Sequence, residues 1–461
     1  PNDGQAYALR AVINVVQNNN DQALTDATQA VAHSPDSPAA KIALSYAQQA
    51  NYQISEARDT LLQAVSEQPD AALAWARLSE LQLMLGNREQ AMAAADKATA
   101  LAPDLERTQI TRGFAALAAF DNASAKAAFE RAIMLSSSDP MAHLGLGLAK
   151  ISDGDVDAGS RDIEVAVALD SNSALLRAYL GKAYFTEKRY PLDGEQFAIA
   201  KQLDPNDPTA YLYDGILKQT VNRPVEAVKD IDKSIALNDN RAVYRSRLLL
   251  DKDRAARGTS LANVYNDLGF AALGFNEATR SLSGDPANAS AHRFLSDSYN
   301  AVSGRFETPR VSELLQSQLF QDINLSPVQP SVSSSNLNVV TAGGPADAGF
   351  NEFTSLFERN ETRFNISGFG GSNNTTGGEA VLSSVYNSVS GSVGYFDYDT
   401  DGFRNNNDLR HKVWDVYGQW AVSSAFNVQA EYRNRDTEYG DLAQNFDLDD
   451  FDKTLRTDTE E

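Results

Sequence analysis

Four aspartates in the C-terminal part of the chain have the spacing of calcium ligands. Asp397, Asp399 and Asp401 alternate with other residues, Gly402 follows, and Asp408 comes six residues after the glycine. Carboxylates at alternate positions before a turn-forming glycine are the arrangement of an EF-hand calcium loop. However, arginine stands where an apolar residue is usual, and aspartate replaces the bidentate glutamate. Two interpretations follow: a calcium site at these four aspartates, or a polar hairpin loop with Asp397 and Asp399 on the inward face of a strand.

No other set of residues indicates catalysis or a cofactor. The chain has no cysteine, which excludes thiolate metal ligands and cysteine nucleophiles. The histidines at positions 33, 143, 292 and 411 are far apart and show no metal-ligand pairing. Phosphate-binding glycine loops and nucleophile elbows are also missing from the sequence. We therefore expect a protein that is not an enzyme and binds no cofactor, unless the calcium interpretation holds.

The overall charge limits the kind of partner. The formal net charge is -22 and the sequence pI is about 4.6. Nucleic-acid binding depends mostly on Lys and Arg contacts to phosphate, and docking on an anionic leaflet needs basic residues, so neither is expected here. Neutral, cationic or apolar partners are favoured. No run of about 18 apolar residues is present, so no membrane-spanning helix is expected.

The first two thirds of the chain repeat with a period of 34 residues. A small residue recurs at this spacing near the end of each second helix, at Ala30, Ala64, Ala98, Ala132, Ala166, Ala200 and Ser234. Glycines recur in the first helices at the same spacing, at Gly113, Gly147, Gly181 and Gly215. Small residues are needed where two helices cross closely.

This pattern resembles the tetratricopeptide-repeat (TPR) family. The resemblance implies a mainly α-helical protein, with about seven to eight helix pairs in an α-solenoid over residues 1–303. The Leu268–Gly269 pair lies 54 residues after Gly215, which is longer than one period and predicts an inserted helix at about 243–258. A capping helix and a linker are expected at 304–361, where Pro, Ser and Gly are frequent.

TPR arrays usually bind partners along the concave face formed by the first helices. Stepping through the sequence by 34 residues gives a largely apolar face. The predicted partner-binding groove consists of Ile42, Tyr46, Leu83, Ile110, Phe114, Leu117, Leu144, Leu148, Ile151, Phe185 and Leu212. We expect it to hold an apolar or extended segment of a protein or peptide. The alternative is that several of these side chains pack inside the solenoid.

The last hundred residues, 362–461, change to the alternating pattern of β-strands. Five strands are predicted near 362–370, 379–386, 389–399, 411–422 and 425–436. One face of the fourth strand is apolar, with Trp414, Val416 and Trp420, and the other is polar. Tight connections alternate with long polar ones, as in an outer-membrane β-barrel. Five strands cannot close a barrel, so we expect an antiparallel β-meander that forms part of one.

The order of a TPR array before a barrel resembles that of outer-membrane proteins. Exporters of cellulose, poly-N-acetylglucosamine and Pel have this order, as do proteins with a FecR-like domain ahead of the repeats. The resemblance implies a non-enzymatic scaffold in the periplasm and outer membrane of a Gram-negative bacterium. It would recruit a protein partner, an exported polymer or a fibre subunit for export or assembly. The alternative is a soluble TPR adaptor with a β-sandwich appendage.

Overall fold

A computed structural model describes residues 3–17, 19–238, 250–286, 288–301, 360–422, 426–442 and 452–460. The chain divides into two compact units, residues 1–286 and 287–461. Within the described ranges, no helix is both long enough and apolar enough to cross a membrane.

The first unit is an array of antiparallel helix pairs. Its helices are α1 (Gly4–Val16), α2 (Asn20–His33), α3 (Pro38–Ala50), α4 (Ile54–Glu67), α5 (Ala72–Met84), α6 (Arg88–Leu101), α7 (Glu106–Ala118), α8 (Asn122–Leu135), α9 (Pro140–Ser152), α10 (Val156–Leu169), α11 (Ala174–Thr186), α12 (Leu192–Leu203), α13 (Pro208–Thr220), α14 (Pro224–Ala236), α15 (Leu250–Asp267) and α16 (Ala271–Gly284). The odd-numbered helices up to α13 begin 34 residues apart, as at Gly4, Pro38 and Ala72. The predicted period is therefore confirmed over these seven pairs.

The helix starts are encoded by local sequence. Proline occupies the first turn of α3, α9 and α13, where its missing N–H removes no helical hydrogen bond. The residue before each proline caps the helix, since the side chains of Ser37, Asp139 and Asp207 accept hydrogen bonds from backbone N–H groups. These three helix starts are separated by multiples of the 34-residue period, so the same local signal marks the same position of the repeat.

Small residues let the two helices of a pair approach closely. Where α9 crosses α10, a β-carbon added to Gly147 would lie 2.7 Å from the carbonyl oxygen of Gly159. The ring of Phe129 on α8 fills the space beside Gly113 and Gly145, and is itself fully buried. The recurring small residues predicted from the period, Ala30 to Ser234, are all buried.

The array continues after α14 with a longer helix. Leu261 and Val264 of α15 pack against Ala227 and Ile231 of α14. Residues 250–258 of the predicted inserted helix form the first half of α15, while 243–249 lie outside the described residues. Gly269 does not mark a helix crossing, because it has φ +83° in the turn between α15 and α16. The crossing lies instead at Gly258, beside Ser281.

The second unit contains α17 (Ala289–Ala301) and an antiparallel meander. Its strands are β1 (Glu361–Gly370), β2 (Thr376–Tyr386), β3 (Val389–Thr400), β4 (Leu409–Ala421), β5 (Asn427–Tyr439) and β6 (Thr457–Glu460), in sequential order. All five predicted strands are present, and β6, which pairs with the end of β5, was missed. The predicted solenoid extends to 303 and so reaches into this unit. The predicted capping helix and linker, 304–361, fall outside the described residues except for 360–361.

Candidate partner-binding surface

The odd-numbered helices form a continuous surface along the array. Direct contacts join α1 to α3, α3 to α5, α5 to α7, α7 to α9 and α11 to α13. Residues that are 34 apart on these helices therefore follow one another along one side of the array. We call the surface formed by the odd-numbered helices from α3 to α13 the first-helix face.

The eleven predicted groove residues divide into two groups. Ile110, Leu144 and Ile151 are only 3%, 1% and 1% exposed, so these three side chains belong to the interior. The other eight are partly exposed on the first-helix face, namely Ile42, Tyr46, Leu83, Phe114, Leu117, Leu148, Phe185 and Leu212. Phe114 and Leu117 also pack on the core around Phe129. Sequence spacing thus located the face but not the depth of each side chain.

An arginine network crosses the face near its N-terminal end. The guanidinium of Arg77 lies 3.8 Å from the ring centroid of Tyr46, and its Nη1 is 2.8 Å from Oε2 of Glu80. Arg107 donates to the same glutamate at 2.6 Å and to the Tyr46 hydroxyl at 3.2 Å. The charge of Glu80 raises the pKa of Arg107 above its ordinary value. The sequence did not predict either arginine, because their positions in the 34-residue repeat differ from those of the predicted groove residues.

A second cationic position lies towards the C-terminal end of the face. The Lys182 ammonium is 5.2 Å from the Tyr179 ring centroid and 4.6 Å from that of Tyr213. Phe185 makes an edge contact with Tyr190 nearby, at 6.5 Å between centroids. Aromatic rings stacked with cations are rigid and have both apolar and polar edges, which suits recognition of polypeptide.

An apolar middle section of the face runs from α5 to α9, beside the arginine network on α5 and α7. Leu83, Phe114, Leu117 and Leu148 occupy this middle section and are partly exposed. This section can bury the apolar side chains of a bound segment, and the partly exposed Arg107 and Glu80 beside it can hydrogen-bond polar groups of that segment.

The meander has an apolar exposed face and a polar buried face. In β4, Trp414, Val416 and Trp420 are about half exposed, whereas Asp415 and Gln419 between them are buried. The same exposed face carries Phe364, Ile366, Leu382, Tyr386, Val389, Val393, Val428 and Tyr432. The buried face includes Ser383, Ser390, Ser392, His411 and Thr437, with Val381, Phe396 and Val413. The predicted alternation along β4 is therefore present in the structure.

The predicted calcium ligands do not converge. Asp399 accepts from Nε of Arg410 at 2.8 Å, Asp401 from Asn374 at 2.6 Å, and Asp408 from Nη1 of Arg456. In the part of the chain that the structure describes, no group of three or more acidic or histidine side chains is placed to hold a metal. The hairpin alternative also needs correction. Asp397 and Asp399 pair with Lys412 and Arg410 on the face that carries Trp414, which is the exposed face.

Comparison with known proteins gives matches to the repeats. Residues 17–76 and 144–208 each match a tetratricopeptide-repeat family model. The search of curated proteins found no match. Among solved structures, the APC/C hetero-tetramer Cut9–Hcn1 is similar at a TM-score of 0.53 and 14% identity, over 62% of this chain and 54% of that chain. The present chain thus spans about half the length of that relative.

Two bacterial structures are similar over shorter stretches. A thermophilic TPR protein from Thermus thermophilus is 21% identical with a TM-score of 0.37, over 40% of this chain and 99% of that chain. PilF of Pseudomonas aeruginosa is 16% identical with a TM-score of 0.35, over 47% of this chain and 97% of that chain. TPR proteins generally bind protein or peptide partners. The helical array of this chain is a tetratricopeptide-repeat solenoid.

Proposed function

We propose that this chain is a non-enzymatic scaffold of the Gram-negative envelope. The TPR solenoid recruits a protein or peptide partner for export or assembly, and the C-terminal meander is part of an outer-membrane β-barrel. The observation that carries the envelope assignment is the arrangement of the meander, with apolar side chains exposed and polar side chains buried. A soluble β-sandwich has the opposite arrangement, because water favours polar side chains on the exposed face.

The exposed face of the meander has the layout of a lipid-facing band. The ring of Trp414 packs at an incline against that of Tyr395 across β3 and β4, at 4.6 Å between centroids, and Trp420 lies six residues further along β4. Six residues of strand span about 20 Å at roughly 3.4 Å per residue. Outer-membrane barrels carry an apolar band about 25 Å tall, with aromatic residues at both interfaces. Because barrel strands are tilted by about 35–45°, this distance rises roughly 15 Å along the membrane normal, so both tryptophans fit within one such band.

Charged residues mark the end of this band nearest the long loops. Two residues beyond Trp414, Lys412 pairs in register with Asp397 and Asp436, and Arg410 is ion-paired with Asp399 at 2.8 Å. Charged side chains are costly in hydrocarbon but stable at the interface and in water. The row therefore fits the level of lipid headgroups, with loops 371–375 and 401–408 outside the cell and the turn at Asn387 in the periplasm.

The partner-binding role rests on the first-helix face. Its apolar middle section is partly exposed along three consecutive repeats. A peptide or helix laid along this section would bury apolar surface, contributing roughly 25 cal/mol for each Å². Arg107 and Glu80, which are partly exposed beside this section, add polar recognition, whereas Arg77 and Lys182 are only 4% and 5% exposed and support the rings around them.

Photo-cross-linking in cells tests the binding role. A photoreactive amino acid in place of Leu148 is expected to give a discrete adduct with a partner protein, because this side chain lies in the middle section. Leu83→Asp should remove that adduct, since it places a charge in the apolar section. Met134→Asp is the matched control, because Met134 is 71% exposed on α8, a second helix of the array. An unchanged adduct in the Leu83→Asp protein would contradict binding along this face.

A further inference from the structure

One helix pair of the array carries a carboxylate where the others carry a small residue. At one position of the second helix, the residues that follow one another by 34 are Ala23, Ala57, Ala91, Ala125, Gly159, Asp193 and Ala227, and all of them are buried. Asp193, on α12, is only 1% exposed. In the preceding pair, a β-carbon added to Gly159 would lie 2.5 Å from the carbonyl oxygen of Gly147. This position therefore lies directly against the first helix of its pair.

One oxygen of the buried Asp193 carboxylate has no partner. Oδ1 accepts a hydrogen bond from the backbone N–H of Gly194 at 2.8 Å. Oδ2 is buried and makes no hydrogen bond to any residue that the structure describes. A polar atom that loses its water without gaining a partner costs free energy, and the cost is larger when the group is charged.

The charged groups on the neighbouring helices α13 and α14 do not offset this cost. Asp214 on α13 acts on Asp193 and carries the same sign of charge. The lysines nearby are engaged with other carboxylates, since Lys201 pairs with Asp230 and Lys218 with Asp214, each at 3.0 Å.

The charged groups of α11, of the turn before α12 and of α12 itself are also engaged elsewhere or exposed. They are Arg177, which donates to Gln196; Lys182, which lies against two tyrosine rings; Glu187 and Arg189, which are ion-paired with each other; and Lys188 and Glu195, which are exposed. Burial and the Asp193 charge raise the pKa of Tyr190 in the same turn, so its phenol stays neutral. Burial therefore raises the pKa of Asp193, the backbone hydrogen bonds oppose this in part, and Asp214 adds to it.

Helix α12 is also shorter than the second helices before it. It has 12 residues, whereas α2, α4, α6, α8 and α10 have 14 each. It begins at Leu192, two residues later than the 34-residue period places it after the start of α10 at Val156. The pair that buries the carboxylate thus has about half a helical turn less to pack with.

From these observations we infer that the pair α11–α12 is a proton-controlled weak point of the solenoid. It opens more readily than its neighbours while Asp193 is ionised, and protonation of Asp193 closes it. Contacts in a solenoid are made between neighbours, so opening interrupts the first-helix face between Leu148 on α9 and Leu212 on α13.

The direction of the pH dependence follows from the raised pKa. The folded pair holds the Asp193 proton more tightly than the unfolded chain does. The stabilisation is therefore present in full below the ordinary pKa of an aspartate and is lost as the pH rises through the folded-state pKa.

Hydrogen exchange of the full-length protein in non-ionic detergent tests the inference. At about pH 7.5, Asp193→Ala should lower the opening constant of α11 and α12 by about tenfold or more, because it removes the buried charge and restores a small residue. The gain should shrink as the pH falls to about 5, after correction for the intrinsic pH dependence of exchange. Glu195→Ala removes an exposed carboxylate from the same helical turn and should change the opening constant by less than about twofold.

Two exchange results would overturn the inference. Unchanged or faster opening of α11 and α12 in the Asp193→Ala protein at neutral pH would show that the carboxylate does not weaken this pair. An equal gain at every pH would show that the weakness does not depend on a proton.

Infrared spectroscopy follows the proton itself and does not depend on stability. The difference between the native chain and Asp193→Ala should contain the band of a protonated carboxyl group at pH values where the difference for Glu195→Ala shows only carboxylate. A carboxylate band alone for Asp193, from about pH 7.5 down to about pH 5, would contradict the proposed protonation.

Discussion

Gly147→Leu is expected to lower the free energy of unfolding by more than the roughly 1–3 kcal/mol that is typical of overpacking. The position allows little relaxation, because a β-carbon at Gly147 meets the carbonyl oxygen of Gly159 at 2.7 Å and Cγ1 of Ile163 at 2.9 Å. A backbone carbonyl cannot move aside as a flexible side chain can. The helices α9 and α10 must therefore separate, and their contacts with neighbouring repeats weaken.

The loss should be local as well as large. Contacts in a solenoid are made between neighbours, so hydrogen exchange should accelerate most in α7 to α12 and least in α1 to α4. Gly284→Leu provides the control, because a β-carbon at Gly284, the last residue of α16, has nothing within 4 Å. Equal unfolding free energies for the two leucine variants would mean that α9 and α10 do not cross at Gly147.

Val416→Arg is expected to destabilise the meander in membranes by roughly 2–4 kcal/mol, the cost of an arginine near the bilayer midplane. Val416 is 46% exposed in the middle of the apolar face and has Val393 and Tyr432 as its register partners. If that face were in water, an arginine at so exposed a position would change stability by less than about 0.5 kcal/mol. The two environments therefore predict different results for one substitution.

The measurement is equilibrium unfolding of the full-length protein in lipid vesicles. Val416→Leu is the matched control, since it keeps an apolar side chain at the same position and should be nearly neutral. Lys412→Arg is a second control, because it keeps a cation in the charged row beyond Trp414. A neutral Val416→Arg variant would argue that the exposed apolar face does not contact hydrocarbon.

Periodic features were predictable from the sequence because they repeat. The 34-residue spacing located the helix pairs, and the alternation along β4 located its two faces, since both follow from the geometry of one regular element. Side-chain depth depends on neighbours, so Ile110, Leu144 and Ile151 could not be distinguished from exposed groove residues by spacing alone. The structure shows them in the core.

Features that depend on pairing between distant segments were missed or misread. Strand β6 has the acidic sequence TDTE, which has no apolar alternation, and it is ordered by pairing with the end of β5. Three of the aspartates predicted as calcium ligands have basic or amide partners at least eleven residues away: Arg410 for Asp399, Asn374 for Asp401 and Arg456 for Asp408. The contact of Arg77 with Tyr46 joins neighbouring repeats and likewise has no local signal.

Cysteine labelling in intact cells tests the envelope scaffold most directly. Asn405 lies exposed in the long loop between β3 and β4, and Ser388 lies in the tight turn between β2 and β3. A membrane-impermeant maleimide should label Asn405→Cys and should reach Ser388→Cys only after the outer membrane is permeabilised, with the cysteine-free native chain as blank. Labelling of Ser388→Cys but not of Asn405→Cys in intact cells would contradict the account. So would the absence of labelling at both positions before lysis, together with recovery of the protein in the soluble fraction.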